Sequence, residues 1–235
     1  MNKLPYGLIG RGRVASHMAH YLQLEKQSCV QWHRGETSTP EDALTEADII
    51  LLAISDDAME GFLERHPFHQ EKITVHFSGS RTIDGVTGLH PLMTFGPELY
   101  DLETYRSIPF VEEEGGIGFH EVFPALQNPS QAIRTELKPL YHALCVLGGN
   151  FSTLLWSKVF GDFEGRLGLS RELLLPYLKQ VSLNTAASGR EALTGSLARG
   201  DRETVRRDLQ ALAGDPYETV FRAFTQVFDH REATP

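Results

Sequence analysis

A chain of 235 residues with 41% apolar and 23% charged residues has the composition of a folded protein in one large or two small domains, not of a disordered one. Its net charge of −9 excludes a generally cationic protein, and with it broad binding to nucleic acid or to anionic membranes. Two cysteines, Cys29 and Cys145, are too few for a secreted disulfide framework and read as small buried hydrophobes.

Up to about residue 135 short apolar runs alternate with short helical patterns, which predicts parallel α/β units. Leu4 to Ile9 reads as the first strand and Val14 to Leu24 as a helix with Ala15, Met18, Ala19 and Leu22 on one face. Cys29 to Trp32 is a short second strand. Ile49 to Ile54, apolar without alternation, suits a strand covered on both faces. Ile73 to Phe77 and Ile108 to Val111 read as further strands, and Gly115, Gly116 and Gly118 mark a loop. From Pro139 onward the texture is helical. Leu140 to Leu167 is apolar all round, the mark of a helix that is buried or shared with a partner subunit. Ser170 is placed to cap the next helix, which Pro176 should kink. Asp201 caps another, and Asp215, Pro216 and Glu218 open the last with a capping box. The expected division is a dinucleotide-binding domain at 1–135 and an all-helical substrate and dimerisation domain at 136–235. The longest strongly apolar run, Ile49 to Ile54, is six residues, short of the roughly 20 of a membrane span. A soluble cytoplasmic protein without a membrane or nucleic-acid partner is therefore expected.

Chemistry enters at Gly10-Arg11-Gly12-Arg13-Val14-Ala15, between the first strand and the first helix. Gly10, Gly12 and Ala15 fill the G-x-G-x-x-G/A positions of a dinucleotide turn: a tight bend, an open approach for pyrophosphate, and close helix packing. The helix N-terminus adds free N–H groups and a positive dipole. NAD-binding folds of this kind carry an acid roughly 20 residues on, to hold the ribose hydroxyls. Here the second strand ends in Trp32-His33-Arg34-Gly35 instead, with Glu36 beyond. Arg34 fits the 2′-phosphate of NADP, so NADP is favoured over NAD. Ala53, Ile54 and Ser55, at the end of the third strand, are placed to lie beside the nicotinamide.

These residues resemble the Rossmann-type oxidoreductases related to 6-phosphogluconate dehydrogenase, ketopantoate reductase and pyrroline-5-carboxylate reductase. The resemblance extends through Leu51-Leu52-Ala53-Ile54-Ser55-Asp56-Asp57, His76-Phe77-Ser78-Gly79-Ser80 and His90-Pro91-Leu92-Met93-Thr94-Phe95. It continues in Leu140-Tyr141-His142-Ala143, Asn150, Ala192 to Gly195 and Ala198 to Asp201. Over nearly the whole chain it resembles a bacterial family of uncharacterised members whose C-terminal half is a domain of unknown function. It implies an α/β fold with a Rossmann-like N-terminal domain and an all-helical C-terminal domain, an NADP-type cofactor, and a cleft between the two. One departure is plain. The related β-hydroxyacid dehydrogenases place a catalytic Lys four residues before the helix Asn, and Val146 stands there before Asn150.

His90, held extended by Pro91, and His142, with Asn150 on the same helix, are the candidate catalytic residues. Ser78, Thr194 and Arg199 are candidate substrate contacts, the last as a clamp for a carboxylate. The histidine pairs His17/His20 and His66/His69 lack a third ligand, so no metal is expected. The expected reaction is hydride transfer between NADP(H) and a small carbonyl or imine substrate, in a homodimer joined through the helical domain. Gly88-Leu89-His90-Pro91 also echoes prephenate dehydrogenases. A non-catalytic NADP-binding sensor is the alternative of another class.

Overall fold

A computed structural model describes residues 5–232 of the chain. Seven strands form one sheet: β1 (Tyr6–Ile9), β2 (Cys29–Trp32), β3 (Ile49–Leu52), β4 (Ile73–His76), β5 (Thr87–Pro91), β6 (Phe110–Glu113) and β7 (Ser130–Ile133). Their order is β2-β1-β3-β4-β5-β6-β7, parallel throughout except where β6 meets β5 antiparallel. Leu4, where the first strand was expected to begin, lies outside the described residues.

Alternation along the strands divides the core between the two faces of the sheet. Leu8, Ile49, Leu51, Val75 and Leu89 pack on one face with Met18, Tyr21 and Leu22 of α1 (Arg13–Leu24). Ile9, Ile50 and Leu52 pack on the other, where α2 (Pro40–Ala43) and α3 (Asp56–Arg65) lie, α3 contributing Phe62 and Leu63. Two short helices, α4 (Leu102–Ser107) and α5 (Phe119–Val122), complete the first face with Tyr105, Phe119 and Val122.

Helix α6 (Lys138–Cys145) runs through a π-helical turn at Val146–Phe151 into α7 (Ser152–Gly165). The remaining helices are α8 (Leu175–Ser188), α9 (Gly195–Ala198), α10 (Arg202–Ala211) and α11 (Tyr217–Glu232). The chain separates into two compact units, Met1–Leu155 and Trp156–Pro235. The change to helical texture comes at residue 138, while the contact boundary falls later. The reason is that the start of α6 is bonded into the sheet, through Lys138 and Tyr141.

In the second unit Lys158, Asp162, Arg166 and Asp215 form one ionic cluster that ties α7 to the start of α11. Asp201 caps α10 by accepting from the Thr204 N–H at 3.1 Å, as its position suggested. Pro176 does not kink a helix. Ser170 caps a 3₁₀ turn at Arg171–Leu174, and α8 begins after it, so Pro176 occupies a first turn where no N–H is required. The Thr135–Gly165 helix is 31 residues long and its most apolar 18-residue window has mean hydropathy 1.2, long and apolar enough to cross a membrane by length and composition. Counting consecutive apolar residues did not reveal it, because polar residues interleave.

Candidate functional site

The strand order reverses direction between β1 and β3, and the glycine turn sits at that switch point, outside the strands' carboxyl ends. Gly10 has φ +129°, and a Cβ there would stand 2.2 Å from the Ala53 carbonyl oxygen, so only glycine makes this bend. Gln31 of β2 donates to the Gly10 carbonyl at 2.7 Å and holds the turn from the side. Gly12 faces open space: a Cβ there would meet nothing within 4 Å. Helix α1 starts from Gly12 without a side-chain cap, leaving its first N–H groups to a ligand.

A cavity of about 940 Å³ opens over this turn. Its wall includes Gly10, Arg11, Gly12, Arg34, Ala53, Ile54 and Ser55. A second recess of about 260 Å³ borders Gly12, Arg13, Val14 and Ala53 to Asp56, with Ser78 in its wall. The nine candidate cofactor residues therefore line two adjoining hollows. Lining residues from α3 were not anticipated there: Ala58 and Phe62 within it, Arg65 at its end and His66 just beyond. The i, i+3, i+4 pattern of Met59, Phe62 and Leu63 behind Asp56 was the available signal. Trp32 is buried beside Phe62 and His66 and donates to the Ser38 carbonyl at 2.9 Å, making a firm aromatic wall.

A second group of side chains gathers past β4 and β5. His90 lies on β5, its Nδ1 2.6 Å from the Tyr141 hydroxyl on α6. Burial, then the neighbouring His142 and Lys138, push the His90 imidazole down to about 4, so it is neutral at pH 7. Tyr141 is pushed up from the ordinary phenol value by burial and by Cys145 one turn on. Both His90 and His142 rest against Gly79, whose absent Cβ would stand 3.1 Å from His90 Nε2 and 3.2 Å from His142 Cδ2. The fold thus brings the two candidate histidines to one spot and adds Tyr141, which had no assigned role.

Ser78 donates to Asp56 at 2.6 Å, and Ser80 donates to the same oxygen at 3.1 Å. The Ser80 and Arg81 N–H groups in turn donate to the Ser78 oxygen. Ser78 therefore positions a carboxylate at the edge of the smaller recess. Beneath lies a buried ionic group: the Lys138 ammonium contacts a Glu113 carboxylate oxygen and the Arg81 carbonyl. His76 is fully buried, its Nδ1 accepting from the Ser78 N–H at 3.2 Å. Its Nε2 has no hydrogen-bond partner among the described residues and stands 3.9 Å from Glu113. Desolvation, with Lys138 next, pushes His76 down to about 4.

Three other candidates are exposed. Asn150 is exposed in the π-helical turn, eight residues beyond His142 and about 12 Å along the helix axis. Thr194 and Arg199 are exposed residues of the second unit. Among the described residues no group of three or more His, Cys, Asp or Glu side chains is placed to hold a metal ion.

The comparisons with known proteins agree with this architecture. A candidate NADP oxidoreductase from Bacteroides fragilis has a similar structure with TM-score 0.78 at 18% identity, over 96% of this chain and 98% of that one. The imine reductase of Streptomyces aurantiacus gives 0.65 at 17% identity, covering 96% and 93%. The pyrroline carboxylate reductase of Plasmodium falciparum, solved with NADP bound, gives 0.61 at 13% identity and 97% of both chains. No curated protein matches in sequence. Residues 114–227 match the family described as Domain of unknown function (DUF2520), in a chain whose strand order is that of a Rossmann-type fold.

Proposed function

We propose that the protein is an NADP-dependent oxidoreductase that reduces a small substrate at a C=N or C=O bond. The observation that carries this reading is the juxtaposition, within the first unit, of an open glycine-turn cavity with the His90–Tyr141–His142 cluster. Gly12 leaves the pyrophosphate approach unobstructed, and Arg34 supplies a cation where an acid would favour NAD. Gly10, Gly12 and the first N–H groups of α1 would hold the pyrophosphate, Trp32 and Arg34 the adenosine end, and Ala53 to Ser55 the nicotinamide side. Bound there, the cofactor supplies the hydride. NADP is also what the Plasmodium relative holds and the Bacteroides relative is described as using.

The chain's own contribution is to manage the proton. Tyr141 and His90 share one hydrogen bond at 2.6 Å. Because His90 is neutral, its Nδ1–H can donate to the Tyr141 oxygen while the tyrosine's own proton turns to the substrate atom that gains it. The imidazole then stabilises the phenolate as it forms. Burial opposes a free phenolate, so the proton leaves only as the substrate accepts it. Asp56, fixed by Ser78 and Ser80, gives this rim a negative charge that favours the iminium formed when an imine takes the Tyr141 proton, an advantage a ketone lacks. His142 rests beside the pair and tunes it through charge.

The test is NADPH consumption with a panel of cyclic imines, imines formed from ketone and amine, and ketones. Turnover is expected, with imines ahead of ketones. Tyr141→Phe and His90→Asn should each lower the rate by about 10²–10⁴-fold, the usual worth of acid–base catalysis, with NADPH affinity unchanged. Tight NADPH binding without turnover of any member would support the sensor in its place. Full turnover in Tyr141→Phe would return the proton role to the histidines.

A further inference from the structure

We propose that the buried Lys138–Glu113 ion pair is the pin that seats α6, a positioning device that brings Tyr141 to His90. This rests on the reading of His90 and Tyr141 as the reactive pair, and its readout needs no turnover.

Helix α6 has little else to hold it. It starts at Lys138 without a side-chain cap, and Lys138 is the only residue of the helix that is buried. Leu140 and Leu144, which would anchor an ordinary amphipathic helix, are 59% and 57% exposed. The lysine instead runs inward and gives its protons to Glu113 of β6 and to the Arg81 carbonyl in the segment after β4. β5 is shaped to admit it. A Cβ on Gly88 would stand 2.7 Å from Glu113 Oε1 and 2.9 Å from the Lys138 ammonium, and the Gly88 N–H donates to Glu113 Oε2 at 3.4 Å.

Tyr141 follows Lys138 by three residues, so the two side chains share a helix face one turn apart. His90 follows Gly88 by two, so the two share one side of β5. The pair Lys138–Glu113 at Gly88 and the pair Tyr141–His90 are therefore successive rungs between the same helix and the same strand. Fixing the first rung sets the reach of the second. A buried ion pair is a costly way to gain stability, but its directional geometry specifies one register where an apolar contact would let the helix slide.

Histidine side-chain ¹⁵N resonances of the whole protein at neutral pH test this. Tyr141→Phe defines the His90 signal with the hydrogen bond absent. In the double variant Lys138→Met with Glu113→Gln, which removes both charges together, the His90 signal is expected to move to the Tyr141→Phe position while the protein stays folded. A folded double variant with His90 at its wild-type shift would overturn the proposal. If the double variant does not fold, Lys138→Arg decides. The bulkier guanidinium must push the first turn of α6 outward and displace the His90 signal, and an unmoved signal there is equally fatal. The expected shifts together with absent turnover would leave the pin standing and remove the catalytic reading. The reverse pattern would do the opposite.

Discussion

At the end of β2 the side chains that meet an adenosine ribose decide which nicotinamide cofactor fits, and the acid there is already engaged. Glu36 stands 3.1 Å from His33 Nε2, which leaves Arg34 as the charged group lining the cavity from this segment. Arg34→Ala should weaken NADPH by about 1.5–3 kcal/mol, the range for hydrogen bonds to a charged group, and leave NADH almost unchanged. Fluorescence titration of both cofactors checks it; equal losses for the two would remove Arg34 as the selector. The two depressed histidines give a second prediction. His76 and His90 are held near 4 in the folded protein against an ordinary value near 6.5. Between those values the unfolded chain binds protons that the folded chain refuses, so stability is fully present above about pH 6.5 and falls as pH drops toward 4. The slope is at most about 1.4 kcal/mol per pH unit for each histidine. Urea melts across this window should show it, and His90→Asn should flatten the slope by roughly half of what both histidines give. A stability that is level from pH 7 to 5 would contradict the depressed values.

The elements divide their labour sharply at the glycine turn. Gly10 serves the bend itself, since a side chain there would collide with the β3 backbone at Ala53, while Gly12 serves only what approaches from outside. Gly10→Ala should therefore lower stability by about 1–3 kcal/mol from the forced backbone conformation alone, and more from the collision. Gly12→Ala should cost no more than about 1 kcal/mol, the loss of a glycine at the N-cap, yet bind NADPH at least tenfold more weakly, a difference that calorimetry and cofactor titration separate. An equal effect of both on melting would show that the turn, not the ligand, requires Gly12. This turn was legible from sequence because its requirements are local: strand, two glycines and helix fall within ten residues. β1 to β4 were legible for the same reason, each being an apolar run between turn residues. β5 was not, because Thr87-Gly88-Leu89-His90-Pro91 carries a glycine, a histidine and a proline where a buried strand usually carries Val or Ile. Those exceptions are the site: Gly88 makes room for Lys138, and His90 meets Tyr141. The partnership of Lys138 with Glu113, 25 residues apart in sequence, has no local pattern to announce it.

The chain as a whole exposes more apolar surface than a monomer keeps in water. Leu140, Leu144, Leu147, Phe151 and Leu154 are each 47–59% exposed and recur at spacings of four and three, the seam of a helix that packs against another helix. In the second unit Leu173, Tyr177, Phe224 and Val227 are more than half exposed. Rows of apolar side chains this exposed are what one partner contributes to an obligate interface. Lipid is the other conceivable cover for the long helix, but Lys138 is paired with Glu113 and Lys158 with Asp162 and Asp215 along it, and hydrocarbon penalises such charges. The expected assembly is a homodimer through these helices. Sedimentation should give twice the chain mass of 26.3 kDa over a wide concentration range without detergent. Leu147→Glu, a charge placed on a residue already 55% exposed within the chain, should leave the fold of the first unit intact and convert the dimer to monomer. A wild-type protein that sediments as a monomer at every concentration would exclude the dimer, and recovery only in detergent micelles would point to the bilayer instead.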